Sequence, residues 1–579
     1  MAAATESADS RSTLMRLLPL LLTAVVYLSS TGGRAVIDYD EGHYSQVALQ
    51  MVERGDWVTP YDNGVRFIEK PPLMYWLSAA AFLAFGINEF ALRLPTALGV
   101  IALVWIVMRM ARRAAGDRAA AIAGLATAFS AGAYLFTREA LHDIWLVLFV
   151  ALAMYAFLEW YLDPRHPLGR ALLFYASLAG AVMTKSLVGV AFPVGIVVLF
   201  FLLARERPKW RTLHVLPGAL LFLVLAVPWH WLAAVRNAGF LWSFFVNEQF
   251  LRFIGKHDPP IVWSVPLLTF WALNLVWFFP WTVFLPAAIA AGRKPADSNQ
   301  GTLIKLAWAW AAVILGFFTV SGRLEHYVFP ALPALALLVA LALSRTDEQK
   351  TVKWAFRVLA ILGLLVLAAS AGLGIWMAVT GHGFESTSSA RTDVISETDF
   401  SILTEMPAEI LWQLTRPAVV TIVSLAVGFL FALHFENRRR RMHAVMCVAA
   451  VMIVVCGMTH WSLIICEDMI SSRKFGLAVA REALPGNHMV VMGDYESANS
   501  LSFYQPLHIE VFDGVAYSLI PGMKFPDAPR IVLTKEEFVT LWRAEERVFV
   551  LLPKARLGEL KLGGTEILEV MDRILIRNH

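Results

Sequence analysis

The sequence predicts a polytopic α-helical membrane protein with a soluble α/β domain at its C-terminal end. Three observations carry this prediction. Of 579 residues, 58% are hydrophobic and only 16% charged, against about a quarter charged in soluble domains, and the mean hydropathy is +0.60. About thirteen runs approach the ~20 apolar residues that a crossing requires. After Cys466 the apolar runs stop and short alternating segments with turn residues take over.

The first run, near 14–31, follows MAAATESADSRSTLMR. No small-residue cleavage site separates it from the next spans, so it reads as a retained anchor. The other runs fall near 91–111, 118–136, 143–162, 170–183, 187–204, 214–235, 264–290, 302–320, 325–344, 354–380, 413–435 and 442–466. Pro72–Phe85 is apolar but short and opens on Pro-Pro, which reads as a juxtamembrane or partly embedded helix. The positive-inside rule tests that choice. With Arg11 and Arg16 inside, the loops at Arg112-Arg113-Arg118, Arg165-Arg170, Arg205–Arg211, Arg293-Lys294, Arg345–Lys353 and Arg438–Arg441 all fall inside, whereas counting Pro72–Phe85 as a crossing inverts every later loop.

The layout is therefore a membrane domain over 1–469, with outer loops at 32–90, 137–143, 236–263 and 321–327 and a largely acidic and polar one at 381–412, followed by an outer α/β domain over 470–579. Within the latter, strands are expected at 488–492, 508–512, 530–533, 547–552 and 565–577, a short helix at 497–504 and another at 535–544. It carries neither GxGxxG nor GxxxxGK[ST]. Cys447, Cys456 and Cys466 share one apolar helix at spacings that fit no metal or redox motif, so they read as buried thiols. The net charge of +4 sits in helix-end loops; topology accounts for it, and nucleic acid is not an expected partner.

Ionisable groups beside bilayer-length segments are costly, and the outer loops concentrate them. The first holds Asp38, Asp40, Glu41, His43, Tyr44, Glu69 and Lys70, with Lys70 pinned by Pro71-Pro72. The second holds Arg138-Glu139 and His142-Asp143, and later loops add Lys185, Asn247-Glu248-Gln249, Arg252, Lys256-His257, Arg323, His326 and Tyr327. Two carboxylates from separate loops, Asp40 and Asp143, can converge to supply and orient a general base. Each alone also fits a solvated loop charge or a helix cap. Lys70, Arg252, Lys185 and His43 on one face suit an anionic phosphate; headgroup binding or snorkelling is the plainer reading for Lys185 and Arg252. Glu41, Tyr44, Glu69, Arg323 and Tyr327 complete the expected cavity. Glu69 with His142, His257 or His326 would be a possible metal set, but no HExxH-type spacing supports it, and no metal or other cofactor is expected to be required.

DEGHY, WVTPYDNGVRFIEKPPLMYW, RLP at Arg93–Pro95, REALHD ending at Asp143, PWH at Pro228–His230, NEQFLRF and SGRLEHYVFPALPAL together resemble the membrane glycosyltransferases of the GT-C fold, nearest the aminoarabinose (Ara4N) lipid A transferases and the protein O-mannosyltransferases. The resemblance covers residues 15 to 345. It implies a polyprenyl-phosphate-linked sugar as donor, a glycolipid or protein acceptor approaching from the periplasmic side of a bacterial inner membrane, and inversion at the anomeric carbon. It also implies that Asp40 is the first-loop catalytic aspartate, Asp143 the second-loop acid, Lys70 and Arg252 the cations at the donor phosphate, and Tyr327 a cavity tyrosine. Two positions depart from the pattern: His43 stands where the aminoarabinose enzymes read arginine, a place partial protonation lets it fill, and Gln249 stands where relatives read histidine. A transporter or flippase for a lipid-linked sugar is the alternative, and an envelope scaffold a third; polar residues gathered in outer loops, without repeated broken helices at mid-membrane, weigh against transport.

Overall fold

The computed structural model describes residues 2–163, 165–207, 210–258, 265–347, 349–380, 406–560 and 563–579. Residues 381–405 of the loop expected at 381–412, and 259–263 of the loop at 236–263, lie outside the described residues.

Apolar runs become helices because a backbone surrounded by apolar side chains must satisfy its N–H and C=O groups within its own segment. Among the described residues nine helices are long and apolar enough to cross a membrane, or ten with the bent pair Leu267–Trp277 and Trp281–Gly292, whose halves meet at 92°. The other apolar runs also lie on helices. Thr13–Ser29 and Val188–Ala204 are shorter, and the run expected at 91–111 shares Glu89–Ala128, which breaks at Gly116 (φ 78°, ψ −174°), with most of the run expected at 118–136, whose end forms the short helix Ala131–Leu135. That dihedral pair suits glycine and interrupts the helix where the sequence places an inner loop. Leu73–Phe85 has 13 residues, about 20 Å of helix against a hydrocarbon core of ~30 Å.

Burial separates centre from periphery. In its most apolar stretch Glu325–Ser344 is 89% buried, while Lys350–Thr380 and Ala408–Asn437 are only 17% buried and present their sides outward. The basic loops meet at one end of the bundle: Arg16 pairs with Asp117 at 3.0 Å, Arg112 with the same carboxylate at 2.8 Å, Arg345 donates to the carbonyl of Lys294 at 2.7 Å, and Arg441 to that of Arg345 at 2.8 Å. Asp143, Lys185 and Tyr327 lie at the opposite helix ends.

The C-terminal segment forms a six-stranded sheet in the order Val532–Leu533, Ile509–Phe512, His488–Met492, Val548–Pro553, Arg573–Arg577, Thr565–Val570. The first four strands are parallel and the last two antiparallel. The single strand expected over 565–577 is two, because Met571 adopts φ 57° and turns the chain into a hairpin. A helix not foreseen, Arg473–Glu482, precedes the sheet. Alternation sorts the two faces. Val490, Met492 and Phe512 pack on Phe538 and Trp542, while Met489, Val491, Ile509 and Val511 share a core with Val36, Tyr44, Val47, Met74 and Tyr75. The sheet is thus seated on the first outer loop, and the helix that carries Asp40 lies beneath it.

Candidate active site

Helix Asp40–Arg54 begins directly after Tyr39, places Asp40 and Glu41 in its first turn and ends at Gly55 with φ 65°. The two carboxylates have opposite fates. Asp40 is exposed, and among the described residues no hydrogen bond or ion pair holds its side chain. Its charge reaches Tyr44, Glu139 and His326 electrostatically. Glu41 is fully buried: it accepts from Arg93 Nε and Nη2, each at 2.7 Å, from the backbone N–H of Ile37 and Ala140, and faces Arg34 at 3.8 Å. The expectation that Glu41 lines the cavity is corrected. It ties loop 34–41 to the helix of Arg93 and to loop 138–140, which converts a costly buried charge into a satisfied one.

The cations expected at a phosphate converge with Tyr327, Glu69 and Asp143, with His43 as the exception. Lys185 Nζ donates to Asp143 Oδ1 at 2.7 Å and lies 4.8 Å from the centroid of the Tyr327 ring. The Tyr327 hydroxyl accepts from Arg252 Nη2 at 3.3 Å. Arg252 also reaches Glu248 at 3.2 Å and Glu69 at 3.7 Å, and Glu69 accepts from Lys70. Residues from separate stretches of chain form one continuous charged seam. Burial alone would raise the Glu69 pKa, but Lys70 and then Arg252 outweigh it and hold the carboxylate down at about 2; burial would likewise discharge Lys70, which Glu69 keeps protonated. Glu69 therefore stands as an anion between two cations.

His43 and Arg323 are elsewhere engaged. His43 Nδ1 is bonded to Asp62, its Nε2 to the Ser518 hydroxyl at 2.9 Å, and its ring stacks on Phe67. Burial disfavours the charged ring, yet Asp62, then Glu496 and Asp40, lift its pKa to about 9. His43 is a fixed cation with both nitrogens occupied, so the expectation of a free phosphate ligand there is corrected. Arg323 donates to the carbonyls of Val265, Thr319 and Ser321, fastening the end of helix Ser298–Val320. Tyr44 is buried, its ring edge-on to His142 at 4.6 Å. Among the described residues no group of three His, Cys, Asp or Glu side chains is placed to hold a metal ion.

The family model described as "Dolichyl-phosphate-mannose-protein mannosyltransferase" matches residues 69–231. An undecaprenyl phosphate-alpha-4-amino-4-deoxy-L-arabinose arabinosyl transferase of Yersinia enterocolitica is 30% identical over 379 residues, covering 62% of this chain and 65% of its own length. The match spans just under two thirds of that relative. One of the same name from Aeromonas salmonicida is 26% identical over 92% of this chain and 91% of its own. The crystal structure of ArnT from Cupriavidus metallidurans in the apo state superposes with a TM-score of 0.79 at 24% identity, covering 99% of this chain and 98% of that one. The structure of that protein bound to undecaprenyl phosphate gives 0.78, covering 97% and 98%. The chain is thus similar in sequence to these arabinosyl transferases and shares the fold of ArnT.

Four residues that the sequence reading named in these loops, but placed neither at the phosphate nor in the cavity, also border the site. Glu248 precedes Arg252 by four positions on one wide helical turn and also holds His257 at 2.6 Å; the spacing i, i+4 was the available signal. His326 approaches Asp143 at 4.0 Å. His142 is buried with neither ring nitrogen bonded among the described residues; burial, then Lys70, drops its pKa to about 3, so it is a neutral imidazole. Glu139 is half-buried, and burial together with Glu41 raises its pKa to about 7. No periodicity distinguishes His326, His142 or Glu139.

Proposed function

We propose that this chain transfers a sugar from a polyprenyl-phosphate donor to a glycolipid or protein acceptor at the periplasmic face of a bacterial inner membrane. The observation that carries the reading is one uncommitted carboxylate, Asp40, on the same end of the bundle as the seam of Lys70, Arg252 and Lys185. We read thirteen crossings: the nine long helices with Glu89–Ala128 counted as two, the bent pair, Thr13–Ser29 and Val188–Ala204. The N-terminus and the clustered basic loops are then cytoplasmic, and the unit over 470–579 is a periplasmic domain on a membrane domain of 1–469.

In this reading Lys70 and Arg252 bind the donor phosphate. The acceptor oxygen attacks the anomeric carbon from the opposite side, the carbon–phosphate oxygen bond breaks, and its electron pair leaves on the phosphate with inversion at carbon. Charge growing on that oxygen meets cations fixed beforehand, which stabilises the transition state more than the ground state. A hydroxyl acceptor passes its proton to Asp40; an acceptor phosphate is already ionised, and Asp40 then orients it. Asp143, held by Lys185, positions the sugar, and Tyr327 holds the Lys185 ammonium over its ring and the Arg252 guanidinium at its hydroxyl. The transporter alternative is not carried forward, since the charged groups gather at helix ends on one side and the relatives named above are transferases. Transfer of radiolabelled sugar by purified protein tests the reading. Asp40→Asn should remove transfer while the protein stays folded, and wild-type turnover in that variant would overturn it.

A further inference from the structure

We infer that the C-terminal α/β unit holds the Asp40 backbone in place, and that Asn499 is the positioning residue through which it does so. Tyr39, immediately before Asp40, has φ 72° and ψ −125°, a conformation that a bulky L-residue avoids and that persists only where the surroundings enforce it. The surroundings here are specific. Asn499, fully buried, accepts from the Tyr39 N–H at 2.9 Å and donates from Nδ2 to the Tyr39 carbonyl at 2.8 Å, so one side-chain amide grips both polar groups of the strained residue. The Glu496 carbonyl accepts from the same N–H at 3.1 Å.

The flanking residues are held from the same side. Asp38 accepts from the Ser500 N–H and the Ser472 hydroxyl, both at 2.9 Å. Gly42 packs so closely that a Cβ there would stand 2.1 Å from Asn499 Oδ1. His43 reaches Ser518 and, through Asp62, the Tyr495 hydroxyl at 2.8 Å. Residues 38, 39, 42 and 43 are thus fixed by partners from 472–518, while the Asp40 side chain between them has no hydrogen bond or ion pair among the described residues. None of those partners lies in the seam of Lys70, Arg252 and Lys185. The arrangement aims one carboxylate and leaves donor binding to other loops.

This inference rests on the reading of Asp40 proposed above, and the test separates the two. In Asn499→Ala the expected result is a kcat lower by about tenfold to hundredfold, the cost of a small misplacement of a reacting group. Affinity for a polyprenyl monophosphate should stay within about twofold, because Lys70 and Arg252 are untouched. Backbone amides 39–43 should exchange hydrogen faster whatever the activity. Tyr39→Gly in the Asn499→Ala background should recover a large part of kcat, since glycine adopts the Tyr39 dihedrals without strain. An unchanged kcat in Asn499→Ala overturns the inference, as does a loss shared equally by kcat and lipid affinity that Tyr39→Gly does not relieve. Full activity in Asp40→Asn would instead remove the underlying reading.

Discussion

Glu69 lies between Lys70 and Arg252, the two cations proposed to bind the donor phosphate, so removing its charge should tighten binding of the polyprenyl monophosphate. The carboxylate is ionised, in contact with Lys70 and 3.7 Å from Arg252, with 30% of its side chain exposed. At that distance each ion pair has a gross Coulomb energy of about 4 kcal/mol for an effective dielectric constant near 20. Most of this is offset by lost hydration, leaving about 1.5–3 kcal/mol for a charge-assisted contact. An incoming phosphate has to displace that contact, so Glu69→Gln should lower its Kd by about tenfold to hundredfold. Burial and Arg252 would depress Lys70 once Glu69 is neutral, but the arriving dianion recharges it, and binding should therefore take up a fraction of a proton. Calorimetric titration of detergent-solubilised protein in two buffers of different ionisation enthalpy measures both quantities. A Kd unchanged or weakened in Glu69→Gln refutes the placement of the phosphate between these two cations.

Asp40→Asn should lower turnover with a hydroxyl acceptor by about 10²–10⁴-fold and leave the polyprenyl monophosphate Kd unaltered, as binding and single-turnover assays will report. Lys70→Ala should weaken that Kd by about tenfold or more, read in the same binding assay. Stability should fall as pH rises. His43 has a folded pKa of about 9 against 6.5 for the free side chain, so its contribution, about 3 kcal/mol, is fully present below pH 6.5 and is lost as pH climbs through 9. Melting temperature followed over pH 6 to 10 should drop in wild type, and the drop should flatten in His43→Gln.

The fold was legible wherever one periodicity dominated. The apolar runs fall on helices, and strand His488–Met492 lies where its apolar run, ended by Gly493-Asp494, placed it. The loop between the runs at 91–111 and 118–136 was legible from its arginines, though not that a break at Gly116 alone would make it. The site was legible by residue type more than by role. Asp40 and Glu41 are adjacent acids in the same motif, and nothing in their neighbourhood along the chain separates a free carboxylate from one locked by Arg93, 52 positions away. His43 presents the same difficulty: its partners, Asp62 and Ser518, lie 19 and 475 positions distant. A side chain's commitments are set by tertiary partners, so sequence reveals which residues can act and leaves open which are already occupied.

That occupancy bears on the chemistry. At rest the seam pairs Lys70, Arg252 and Lys185 with Glu69, Glu248 and Asp143, one carboxylate for each cation. In the proposed reaction the donor phosphodiester carries a single negative charge, whereas the polyprenyl monophosphate released carries about 1.5–2 at neutral pH. Cations that stabilise charge growing on the leaving oxygen therefore bind the product more tightly than the donor. Unopposed, such a clamp would accelerate bond cleavage and retain the lipid phosphate. Glu69, returning to the gap between Lys70 and Arg252, competes with the dianion and assists its departure. Glu69→Gln should accordingly show a normal or faster first turnover and a slower steady state, with stronger inhibition by added polyprenyl monophosphate. Equal rates in the two phases would place the limiting step elsewhere and leave Glu69 no part in release.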